Sequence, residues 1–165
     1  MFMRKVAVVC LVCTVFVPLA GVPSFASSSI KVSLWDMGQD MDLSKNSGLG
    51  LGMHRDMTAA KFGIMLDQKS VAAGKVTFTV VNNSKEMLHE MIVAPIANAN
   101  EKLPYIDNEN RVNEEAAGDL GEVSELEPGK SGALTLDLKP GLYAVYCNVP
   151  GHFGNGMWTL LRVAK

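Results

Sequence analysis

The chain has 165 residues, with 15 Lys and Arg against 17 Asp and Glu, and a formal net charge of −2. That balance supplies no basic stripe for a phosphate backbone and argues against nucleic acid as a partner. The length suits one domain around one core.

The N-terminus reads as a leader. Arg4 and Lys5 precede an apolar run from Val6 to Val17, and Pro18, Gly21 and Pro23 break it. Ser24 and Ala26 offer small residues at the positions a signal peptidase needs, so residues 1–26 read as a secretory signal cut after Ala26. The apolar run is short for a bilayer span, so the mature chain is expected to have no stable membrane insertion. Export makes the expected location periplasmic or otherwise outside the cytoplasm. Cleavage removes Arg4, Lys5 and no acid, which moves the net charge to −4. It also removes Cys10 and Cys13 and leaves Cys147 alone.

The mature chain opens with Ile30–Trp35, which alternates apolar and polar residues as a half-buried strand does. Residues 36–66 hold Met37, Met41, Met53, Met57 and Met65, with glycines at 48, 50 and 52. They lack the strand–glycine–helix context of a nucleotide loop and read as loop and turn. Residues 27–65 are therefore expected to be a Met/Gly-rich N-terminal part packed on or extending a main domain at 66–165.

Residues 75–82 alternate again with β-branched enrichment, and 88–94 form an apolar run. Residues 101–127 carry nine acids against Lys102 and Arg111, with a short helix expected at 112–118. This stretch reads as a solvated insertion; as a functional surface it would steer a basic partner. Strands follow at 133–138, 142–147 and 158–163, with Pro128-Gly129 and Pro140-Gly141 between elements. Short strands with such punctuation predict an all-β sandwich or barrel.

The chemistry sits in one loop. Cys147, His152 and Met157 follow one another as C-x4-H-x4-M, with Pro150 and three glycines between them. Such a loop can fold tightly enough to bring a thiolate, an imidazole and a thioether to one point. A fourth donor must come from elsewhere. His89, at the edge of the 88–94 strand, is the best placed, with His54 the competitor. Two imidazoles, one thiolate and a weak thioether suit copper in both its oxidation states, Cu(I) and Cu(II). Zinc structural sites rarely take Met, and calcium or magnesium would want oxygen. A lone Cys in an oxidising compartment is also protected when it is a ligand.

These segments resemble the cupredoxins, the plastocyanin/azurin-type blue copper proteins. The likeness is carried by CNVPGHFGNGM (147–157), LYAVY (142–146), HEMIV (89–93) and EPGKSGALTLDLKPG (127–141). The two gaps of four in the ligand loop are closest to those of the rusticyanins. The resemblance implies a Greek-key β-sandwich, one type 1 copper and transient redox protein partners. His89, Cys147 and His152 would be equatorial ligands and Met157 the axial one. In this family the loop histidine reaches the surface through an apolar patch, for which Pro150, Phe153 and Gly154 are the candidates. Many relatives have Asn after the first histidine, where this chain has Glu90.

A stiff donor set without an open position fits electron transfer and not an enzyme. The competing expectation is a periplasmic copper-handling protein with a copper donor or acceptor as partner. In that reading Met53, His54 and Met57 would form a second Cu(I) site.

Overall fold

Alternation along each strand decides which side chains meet in the middle. The computed structural model describes residues 27–38, 42–53 and 56–165. The expected leader, Met41 and His54 lie outside the described residues. In chain order the elements are β1 (Ser28–Asp36), β2 (Phe62–Leu66), β3 (Ser70–Ala72), β4 (Gly74–Asn82), β5 (His89–Ile96), β6 (Tyr105–Ile106), β7 (Arg111–Val112), α1 (Glu114–Ala117), β8 (Glu122–Leu126), β9 (Ser131–Leu138), β10 (Gly141–Tyr146) and β11 (Trp158–Ala164).

The strands form two main sheets, ordered β2-β1-β4-β9 and β3-β11-β10-β5-β8, with β6 and β7 as a separate pair. β1 runs parallel to β4 and antiparallel to β2, which places residues 28–36 inside the first sheet. Ile30, Val32 and Leu34 of β1 and Val76, Phe78 and Val80 of β4 point inward and are buried. They share one core with Met91, Val93, Val145, Leu161 and Val163 of the second sheet. This is the period-two pattern expected when one face of a strand is covered.

The second sheet is covered on both faces. Ile92, Ala94, Ala144 and Tyr146 point away from the first sheet, yet all are fully buried. Leu51, Leu103, Val112 and Phe153 cover them. Double burial explains why residues 88–94 read as a continuous apolar run and not an alternating one. It also corrects the reading of 101–127 as a solvated insertion. Leu103 and Val112 anchor that stretch to the sheet, while Glu109, Glu115 and Glu122 stay at the surface. The expected helix is only Glu114–Ala117, started by Asn113 accepting from the Ala116 N–H and ended by Gly118 at φ 70°.

Asn82 joins the layers beside the start of β5. It is fully buried. Its amide donates to the carbonyls of Met87 at 2.9 Å and Leu126 at 2.7 Å, and its Oδ1 accepts from the Ser84 N–H at 2.9 Å. The chain entering His89 is thereby tied to β4 and β8. Asn82→Ala would take the partner from two carbonyls and an N–H at a partly buried site, where each lost bond is worth about 0.5–1.5 kcal/mol net. A loss of about 2–4 kcal/mol is expected in urea unfolding of the metal-free protein, with an unchanged m-value.

Candidate metal centre

The centre forms where β10 ends and β5 begins. Inward alternation through Tyr143 and Val145 continues to Cys147, which is therefore aimed between the sheets. His89 is the first residue of β5, and pairing with β8 shifts register between His89 and Met91. Such a bulge re-aims a side chain at the rim of a sheet.

The loop from Cys147 to Met157 closes on itself. The His152 N–H donates to the Val149 carbonyl at 2.9 Å and the Met157 N–H to the His152 carbonyl at 3.0 Å. The Cys147 N–H then donates to the Met157 carbonyl at 3.1 Å, which locks both ends of the loop together. Gly151 at φ 88° and Gly156 at φ 102° make the bends. A Cβ on Gly151 would also lie 2.6 Å from the Leu43 carbonyl oxygen.

The outcome is a dry group of donors. His89 Nδ1 lies 3.2 Å from His152 Nδ1, and Cys147 Sγ lies 3.4 Å from that same nitrogen. One ligand atom from each of the three residues falls within 4.8 Å of the others. His89 and Cys147 are fully buried and His152 is 1% exposed. Met157 is fully buried in the core cluster that contains Cys147. Burial pushes the Cys147 thiol up to about 12 and, with the neighbouring His89, the His152 imidazole down to about 3. Burial also lowers His89, against the pull of Asp36. Each shift favours the neutral form, and a bound cation would reverse that preference at the thiol. Two intermediate nitrogens and a soft sulfur that face one another in a buried site fit copper in both oxidation states.

Glu90, which stands where many relatives have Asn, ties the start of β5 to the ligand loop. Its Oε1 accepts from the Asn148 N–H at 2.8 Å, while its own N–H points at Cys147 Sγ at 3.5 Å. Asn148 in turn accepts from the Val112 N–H at 2.7 Å and donates to the Val112 carbonyl and to Glu114. Burial raises the Glu90 carboxyl to about 7, against the bond from Asn148.

Two residues near the centre carried no sequence signal. Asp36 meets His89 Nε2 at 2.8 Å, and Phe62 stacks on His152 at a centroid distance of 4.7 Å. Each is remote in sequence from the residue it touches, and no spacing rule links them. The alternation that ends β1 at Asp36 was the nearest available clue.

The expected surface patch at His152 is corrected. Phe153 is fully buried and Gly154 is buried, leaving Pro150 as the exposed member. The cause is the segment 42–53, which lies over the loop. The Leu49 N–H donates to the Gly154 carbonyl at 3.0 Å, and the Trp158 indole donates to the Leu49 carbonyl at 2.7 Å. Asn155 donates to the Lys45 carbonyl at 3.1 Å and accepts from the Ser47 hydroxyl. Met53 and Met57 border this segment, whereas the proposed partner His54 lies outside the described residues.

No protein-family profile and no curated protein matches this sequence. Solved structures do match. Rusticyanin from Thiobacillus ferrooxidans is 14% identical, with 83% of this chain and 77% of that one covered and a TM-score of 0.53. A reduced rusticyanin is 15% identical over 83% of this chain and 79% of that one, also at 0.53. Auracyanin B is 18% identical over 87% and 92%, at 0.51. Rusticyanin is itself described as a copper protein. This chain thus has the cupredoxin β-sandwich fold, with a His-Cys-His group that could hold copper.

The cover over the loop can be tested through Cys147. Asn155→Ala removes the bonds to Lys45, Ser47 and the Gly151 carbonyl. Each bond is worth about 0.5–1.5 kcal/mol net, so opening of the segment should become about tenfold or more easier. The metal-free variant should then react with a thiol reagent about tenfold faster than the native chain, measured by stopped-flow absorbance.

Proposed function

We propose that this chain is a type 1 copper protein that carries single electrons between redox protein partners outside the cytoplasm. His89, Cys147 and His152 would hold the copper, with Met157 as a further, weaker donor. The observation that carries this reading is the convergence of Cys147 Sγ and two imidazole Nδ1 atoms in a dry space. Bound copper supplies a reversible one-electron couple between Cu(II) and Cu(I).

The residues do the rest. Cys147 loses its proton on loading and gives a soft, anionic donor; the imidazoles suit both oxidation states. The Cys–His–Met loop, closed by its own backbone bonds, holds the donors in one arrangement and keeps reorganisation small. Phe62 stacked on His152 and the burial of all three donors keep water and small substrates away, which suits electron exchange and not an enzyme. Residues 1–26 act as the export signal, and coordination protects the one remaining thiol in the oxidising compartment.

The chain 27–165 mixed with Cu(II) is expected to bind one tight copper and to show an intense thiolate-to-copper absorption. A one-electron reductant should bleach the band and an oxidant restore it, while Cys147→Ser should show none. Absence of the band in the native chain, or its survival in Cys147→Ser, would overturn the proposal. A second tight copper per chain would favour the copper-handling alternative.

A further inference from the structure

One buried carboxylate reaches the donors from outside the segments that supply them. The side chain of Asp36, the last residue of β1, is 3% exposed, and its Oδ2 lies 2.8 Å from His89 Nε2. Its Oδ1 accepts from the Gly38 N–H at 2.7 Å, and the Ser84 hydroxyl bonds to the same carboxylate. Burial alone would raise this carboxyl, but the bonds from Ser84, His89 and Gly38 hold it below the ordinary carboxylate value. Ser84 is itself fixed, since its Oγ accepts from the Met87 N–H at 2.8 Å and its own N–H donates to Asn82. The carboxylate is thus anchored to the same strand-end network that enters His89.

An ionised carboxylate only accepts hydrogen bonds. His89 Nε2 must therefore carry the ring hydrogen, which leaves the lone pair on Nδ1. Nδ1 is the atom that faces His152 Nδ1 at 3.2 Å, on the side of Cys147. We infer that Asp36 is a positioning residue: it sets the tautomer and ring plane of His89, and its negative charge biases the centre towards the more positive, oxidised state of copper. The charge argument is electrostatic. A fixed anion in a poorly screened site favours the state with the extra positive charge. His152 has a different support, since its ring stacks on Phe62. The two histidines are thereby unequal donors, with His89 the more electron-rich.

This inference rests on the copper reading for its second half, and its first half stands in the metal-free chain. The test uses Asp36→Asn and Asp36→Ala. In the Asn form the amide oxygen is held by the Gly38 N–H, so the NH2 faces Nε2 as a donor and should move the ring hydrogen to Nδ1 while the charge is lost; Ala loses both the charge and the partner. Nitrogen-15 NMR of the metal-free chain should show His89 protonated at Nε2 in the native form, at Nδ1 in the Asn form, and a mixture of tautomers in the Ala form.

With copper, the Ala form should bind Cu(II) about 10–100-fold more weakly, the usual cost of losing such a partner. Both variants should lose about tenfold of the preference for the oxidised ion, equal to a rise of about 59 mV in a one-electron potential. A potential in the Asn form equal to that of the native chain would overturn the charge role. A pure Nε2–H tautomer in the Ala form would overturn the positioning role, and should that form not fold, a pure Nε2–H tautomer in the Asn form would do so. Failure of the copper reading would look different: no thiolate band in the native chain, with the tautomer result unaffected.

Discussion

Two imidazole nitrogens and a sulfur held within 4.8 Å and buried away from bulk solvent form an arrangement with a cost. Buried polar groups without good partners lose about 1–3 kcal/mol each. The fold offsets that cost by over-determining each donor. His89 is bonded through its far nitrogen to Asp36, Cys147 is held by the Met157 carbonyl and faced by the Glu90 N–H, and His152 lies flat against Phe62. A cation that takes all three lone pairs at once converts the cost into binding energy. The bulge in β5, the two left-handed glycines of the loop and the double cover of the second sheet are all consistent with that requirement.

Much of this was legible in the chain because the legible features are local. β1, β4 and β9 were found by alternation, which a two-layer sandwich imposes wherever one face is wet, and β10 and β11 as short apolar stretches between turn signals. The loop residues were found because eleven consecutive positions hold three of the donors together. What the residues did not reveal depends on partners distant in sequence. β2 and β3 are too short to show a period, and β2 contains Gly63, over which the Trp35 ring lies so closely that a Cβ would come within 2.6 Å. Asp36 and Phe62 each act on a histidine far along the chain, and no local pattern encodes that. The acidic stretch misled for a related reason. Its charges advertise solvent, while Leu103 and Val112, two residues among many polar ones, fix its position.

The N-terminal part changes the character of the site. Residues 42–53 were expected to be loop, and loop they are, but loop bonded to the ligand loop through Leu49, Asn155 and Trp158. The histidine that the family resemblance led one to expect at the surface is buried instead. A cleft lined by Leu43, Lys45, Leu49, Lys61, Phe62 and Asn155 lies above it, with the Phe62 ring between the cleft and His152. Access to the centre is thus a property of the first strand and its following loop as much as of the ligand loop.

The parallel pairing of β1 with β4, and the position of the ligand loop between β10 and β11, carry a consequence for the order of folding. Asp36, His89 and Cys147 come from the beginning, middle and end of the sandwich, so no subset of early strands can assemble the donors. Contacts between such distant segments form late, because the chain must close long loops before they are rewarded. A chain emerging N-terminus first would therefore keep the Cys147 thiol uncovered until the final two strands zip together. A metal loaded at this centre would then arrive after the last strands pair, and the interval before that pairing is when the sulfur is open to oxidants.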